Sequence, residues 1–109
     1  ELLRKHQTIM TQFKLEDRQI PTRVSLTNDV SDTHTVIEVS FEDRMGALYL
    51  ITNALYQSDL DIFSAKVTTE GKRGVNSFYI TDRGGKKIVS PDRLEKIKSD
   101  VIEAMDREF

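Results

Sequence analysis

The sequence predicts a two-layer α+β sandwich, one antiparallel sheet covered on one side by two helices. Three observations carry this. Several segments alternate apolar and polar residues with a period of two, later segments repeat with a helical period, and from residue 35 the order is strand, helix, strand, strand, helix. At 109 residues the chain has the length of one domain and can bury a core without staples.

Residues 1–18 place Leu2, Leu3, Ile9, Met10 and Phe13 at helical spacing among Arg4, Lys5, Gln7 and Gln12, the pattern of an amphipathic helix. Pro21 ends it, because its ring clashes with a preceding helical turn and restricts the residue before it. Thr22–Leu26 puts Val24 and Leu26 on one face, a short strand closed by an Asn28-Asp29 turn. Thr35–Phe41 gives the strongest strand signal, with Thr35, Ile37, Val39 and Phe41 on one face and Glu38 and Ser40 on the other. Such a strand belongs to a sheet with one dry face.

Glu42–Gly46 makes a polar turn, after which Leu48, Ile51, Ala54 and Leu55 share a helix face ending near Ser58-Asp59. Leu60–Thr69 is a second strong strand and Val75–Thr81 its return, joined by the glycine-bounded loop Gly71–Gly74. Asp82–Gly85 turns the chain again, and Ile88-Val89 is expected to add a short extended piece. Ser90, Pro91 and Asp92 then form a helix start of the usual kind, a capping hydroxyl, a proline at the first helical position and an acidic first turn. Leu94, Ile97, Val101, Ile102 and Met105 supply the apolar stripe of that last helix. The order is a split βαβ unit short of its final strand. In a complete ferredoxin-like sheet that strand lies at an edge beside the first, and the Thr22–Leu26 strand fills the slot from the other end. The expectation is a permuted ferredoxin-like sandwich over residues 22–109, with residues 1–20 as a separate helix left from a preceding repeat or linker. A chain that starts at Glu1 is expected to be part of something longer.

Composition removes several functional classes. There is no cysteine, hence no disulfide, thiolate metal site or cysteine nucleophile. Sixteen Lys and Arg against eighteen Asp and Glu leave a net charge of −2, without the basic excess of a nucleic-acid surface. No apolar run reaches membrane-spanning length and no signal-peptide pattern opens the chain, so a cytoplasmic location is expected. His6 and His34 sit on unrelated elements with no third metal ligand, and they read as solvent-exposed polar residues. No carboxylate pair lies in an apolar stretch that would raise its pKa, and Ser40, Ser64 and Ser77 lack a nucleophile elbow. No catalytic residue, metal or cofactor is expected. The Gly71–Gly74 segment has a GxxG form but joins strands rather than helices, and Val75 and Ser77 stand where an RNA-stacking platform would carry aromatics.

The turn before the first core helix is more informative. Met45, Gly46 and Ala47 offer backbone N–H groups at the positive end of a helix, where a carboxylate or phosphate can sit close to a glycine. The alternative is that Asp43 caps the helix and Gly46 relieves a tight turn.

Thr35-Val36-Ile37-Glu38-Val39 followed by Asp43-Arg44-Met45-Gly46-Ala47-Leu48-Tyr49 resembles the opening of an ACT domain, whose usual form is D-R-P-G-L-L. Leu60-Asp61-Ile62, Ser64-Ala65-Lys66-Val67, Phe78-Tyr79-Ile80-Thr81-Asp82 and Gly85-Lys86-Lys87-Ile88 continue the likeness over about residues 22–105. It is nearest the C-terminal ACT repeat of bacterial PII uridylyltransferases, nitrogen-status enzymes that sense glutamine. Plant ACT-repeat proteins look similar. The resemblance implies a non-enzymatic regulatory module that binds an amino-acid effector where two ACT units meet, in a homodimer or tandem pair, without nucleic acid or membrane. By resemblance the effector contacts Asp43, Arg44, Met45, Gly46 and Ala47 at the first strand–helix turn, and Asp61 and Ser64 on the second strand. Met45 replaces the frequent proline, and Asp61 stands where many ACT domains carry Asn. The alternative reading is an ACT-type dimerisation module without a ligand.

Overall fold

A computed structural model describes residues 20–107. The helix expected over residues 1–18, with His6, lies outside the described residues. Four strands and two helices follow: β1 (Arg23–Thr27), β2 (Thr35–Glu42), α1 (Ala47–Gln57), β3 (Leu60–Glu70), β4 (Arg73–Asp82) and α2 (Pro91–Arg107). They form a small α+β domain with one four-stranded antiparallel sheet in the order β1-β2-β4-β3.

The N-terminal strand takes the edge beside β2, with Val24 opposite Val39 and Leu26 opposite Ile37. Both pairs face inward, so the alternation in each strand fixes the register, because a slip of one residue would turn every apolar side chain outward. Thr35, Ile37, Val39 and Phe41 are all buried, as their common face requires. On the same side Ile51 and Leu55 of α1, Ile97 and Val101 of α2, and Phe78 and Ile80 of β4 close the core. Residues such as Leu55 and Phe78 are wholly buried, and truncating either to Ala costs about 2–5 kcal/mol.

The β3–β4 hairpin is tighter than the sequence suggests. The ladder closes at Glu70 opposite Arg73, leaving only Gly71 and Lys72 in the turn, with Gly71 at φ +63°. Arg73 and Gly74 are therefore strand residues. A Cβ on Gly74 would lie 2.6 Å from the Phe41 ring, so that ring occupies the space a side chain would need. Ile88-Val89 forms no strand. Ile88 is buried, but its N–H donates to Thr35 Oγ1 (2.9 Å) and its carbonyl accepts from Asn28 Nδ2 (2.9 Å). Thr35 Oγ1 in turn donates to Asn28 Oδ1 (2.6 Å), a side-chain network that anchors the segment without a ladder.

Strand β3 is the other edge. A bulge between Ile62 and Ser64 changes which residues face the helices. Ile62 lies opposite Ile80 before it, and Ala65 and Val67 lie opposite Phe78 and Asn76 after it. Phe63 turns to the bare face of the sheet, where its ring lies 4.8 Å from that of His34. His34 is thus half-buried beside Phe63 and Tyr79, not a free loop residue. From Asp61 to Glu70 every residue of β3 is exposed.

A cavity beneath the β2–α1 turn

Strand β2 delivers the chain into the turn Asp43–Gly46, which the structure ties down from two sides. The Asp43 N–H donates to the Lys72 carbonyl at 2.7 Å, joining the turn to the β3–β4 hairpin. Arg44 is half-buried and donates from Nη2 to the Met105 carbonyl at 2.8 Å, joining it to the last turn of α2. A cation at those carbonyls suits the negative end of that helix.

Gly46 caps α1 at φ +86° and ψ −6°, and no side chain bonds the helix start. Asp43 is therefore not a helix cap. Nothing lies within 4 Å of a Cβ built on Gly46, so the backbone conformation, not crowding, calls for glycine. The first bond of the regular helix runs from the Leu50 N–H to the Gly46 carbonyl (3.0 Å), and the Ala47 N–H makes a long bond to the Arg44 carbonyl (3.4 Å). The Leu48 and Tyr49 N–H groups are the ones that an α-helix start leaves without a helical partner. The Leu48 N–H, on the cavity wall, thus adds a donor to those expected at Met45 and Gly46, while the Ala47 N–H is engaged within the turn.

Under the turn lies a cavity of about 130 Å³. One wall is Gly46, Ala47 and Leu48, the other Val67, Thr68 and Thr69 of β3, and the floor is Phe41, Gly74 and Asn76, with Asp43 and Arg44 also lining it. Asn76 is only 1% exposed, and its Oδ1 is buried without a hydrogen-bond partner among the described residues. Sequence reasoning missed this residue. The available signal was its phase, since Asn76 shares the inward face of β4 with Gly74, Phe78 and Ile80 and is the one polar side chain among those four. Larger grooves of about 390 Å³ run between α1 and α2 and between β1 and α2. No buried, unpartnered side-chain polar atom among the described residues belongs to either groove.

The expected site residues divide into two groups. Asp43, Arg44, Gly46 and Ala47 all line the cavity, although Ala47 is a core residue at 3% exposure. Met45 is fully exposed. Asp61 and Ser64 lie elsewhere. Asp61 pairs with Thr81 and Gly74 with Thr69, which separates the two ends by about 23 Å along β4 at roughly 3.3 Å per residue. Asp61 accepts from Arg83 at 3.2 Å, an exposed ion pair, and Arg83 also lies 4.9 Å over the Tyr56 ring. Ser64, opposite Tyr79, is on the face away from the helices. One chain therefore does not bring the two groups together.

Neither three His, Cys, Asp or Glu side chains placed to hold a metal, nor a helix long and apolar enough to cross a membrane, occurs among the described residues.

A small antiparallel sheet under two helices, with a cavity at the first strand–helix turn of its βαββα core, defines the class of domain. The chain belongs to the ACT-like domain family: residues 23–109 match the family model described as "ACR9-like, ACT-like domain". Similar proteins include bifunctional uridylyltransferase/uridylyl-removing enzymes. That of Gluconobacter oxydans is 40% identical over 95 residues, covering 87% of this chain and 10% of the relative. That of Azospirillum brasilense is 41% identical over 86 residues, covering 79% and 9%. That of Rhodospirillum rubrum is 47% identical over 79 residues, covering 72% and 8%. The chain thus spans about a tenth of the length of these relatives.

Proposed function

We propose that this chain is a regulatory amino-acid-binding module of a cytoplasmic, uridylyltransferase-like nitrogen-regulatory protein, with glutamine as the first candidate effector. The observation that carries the reading is the cavity beneath the β2–α1 turn. The N–H groups at the α1 start suit a carboxylate, Gly46 leaves open space above the backbone, and Asp43 at the rim can pair with an ammonium group.

The site takes its second half from another copy or a tandem repeat. Strand β3 is an exposed edge, with Lys66 the one charged residue between Asp61 and Glu70. Antiparallel pairing of two such edges about an axis near Ala65 brings the partner's Asp61 to the Thr68–Thr69 end of the strand, which forms part of the cavity wall. Asp61 then serves the cavity of the opposite copy, while Ser64, on the face away from the helices, lies along the seam opposite the partner's Lys66. Effector binding at this junction biases an attached or partner domain by favouring the paired state. Residues 22–109 act as the ACT unit and residues 1–20 as the remnant of a preceding repeat or linker.

A second reading is a dimerisation module without effector. It is favoured by the commitment of Arg44 to the Met105 carbonyl, which takes one cation away from ligand binding. Calorimetric titration with the standard amino acids separates the two. The effector reading expects heat and a raised melting temperature with glutamine or a close relative, and no response to any amino acid contradicts it.

A further inference from the structure

Asn76 Oδ1 is a buried side-chain acceptor without a hydrogen-bond partner among the described residues. A buried acceptor without a donor is costly, and native folds keep one where water or a ligand completes it. Asn76 Oδ1 belongs to the floor of the cavity whose wall is the start of α1. An 11-residue helix thus presents a positive end above, and a bare carbonyl oxygen lies below. The two are complementary to a zwitterion, with the carboxylate toward the Leu48 N–H at the helix start and the ammonium toward Asn76.

We infer that Asn76 is the specificity-determining residue of this site, accepting a hydrogen bond from the α-ammonium group and so selecting an amino acid over its α-keto analogue. This rests on the effector reading above and adds a residue that the turn alone does not supply. An acceptor oxygen rejects a keto group, which offers only another acceptor in the same place. A site built around a hydrogen bond excludes the analogue that lacks it far more strongly than an apolar pocket excludes a methylene. Asn76 is also the wrong residue for packing. It stands between Val39 and Val67 on the neighbouring strands, beside Phe78 on its own, where leucine would fill the same space without an orphaned oxygen.

The test uses the full 109-residue chain with Asn76→Leu and Asn76→Asp, titrated with glutamine and with its α-keto analogue 2-ketoglutaramate. Wild type is expected to bind glutamine at least tenfold more tightly than the analogue. Asn76→Leu is expected to melt no lower than wild type, by a few degrees higher, yet to lose at least tenfold in glutamine affinity. Asn76→Asp, which keeps the acceptor, is expected to retain glutamine binding. The analogue is expected to lose no further affinity in Asn76→Leu, since both changes remove the same bond. Glutamine binding unchanged in Asn76→Leu overturns the inference, as does a lower melting temperature together with lost binding, which would make Asn76 a packing residue. Wild type that binds glutamine and 2-ketoglutaramate equally overturns it while leaving the effector reading intact. Wild type that binds no amino acid overturns both.

Discussion

At the scale of single residues, Gly46 and Asp82 make separable contributions. Gly46 holds the turn at φ +86° with open space around the missing Cβ. Gly46→Val forces a β-branched side chain into that region, at a cost of about 1–2 kcal/mol, and places it over the cavity. The expected result is a chain with an unchanged circular dichroism spectrum, a melting temperature lowered by several degrees and no effector binding. Unchanged affinity would place the site elsewhere. Asp82 organises the turn after β4, its Oδ1 accepting from the Gly84 N–H at 2.8 Å and the Lys86 N–H at 2.9 Å. The Lys86 bond foremost, then the Gly84 bond and the charges of Arg93 and Lys86, hold its carboxyl below the ordinary 3.8 against an opposing effect of desolvation. A lowered folded pKa stabilises the fold above the unfolded value and ceases to do so as pH falls through the folded one. Wild type should therefore melt above Asp82→Asn at pH 7, and the difference should close as the pH is taken below 3.8. A gap that widened in acid would contradict this assignment.

At the scale of elements, the decisive one is β3. Its apolar residues Ile62, Phe63 and Val67 are all exposed, because β3 is an edge with no strand beyond it. Ala65→Glu places like charges across the axis of a paired β3 edge while leaving the monomer fold alone, and should shift the chain to monomer in size-exclusion chromatography. A dimer that survives it pairs elsewhere.

Elements also show where sequence reading ends. The alternation of Thr35–Phe41 sufficed for β2, and Ser90-Pro91-Asp92 marked the start of α2, where the Leu94 N–H indeed meets the Ser90 carbonyl (3.0 Å). The edge position of β1 followed from an unfilled slot. The bulge at Phe63 was not legible, because Ile62 and Phe63 are both apolar and hide the change of phase. The tie from Arg44 to Met105 spans 61 residues and has no local signature. The inward phase of Asn76 follows from Phe78 and Ile80, two and four residues on, but its place between Val39 and Val67 on the cavity floor emerges only from the strand register.

At the scale of the molecule, the cavity is incomplete within one chain. The fold closes its own core, but the cavity has one wall on an exposed edge strand, and the residues expected to complete the site lie at the far end of that strand. The proposed two-fold pairing along β3 would resolve both features, satisfying the edge and bringing the partner's Asp61 to the open wall. Ligand binding and association are then linked, since a ligand that prefers the pair must also stabilise it. Sedimentation velocity of the chain with and without glutamine tests this most directly. The expected result is a dimer whose dissociation constant falls when glutamine is added. A monomer at high protein concentration, unchanged by glutamine, would contradict it.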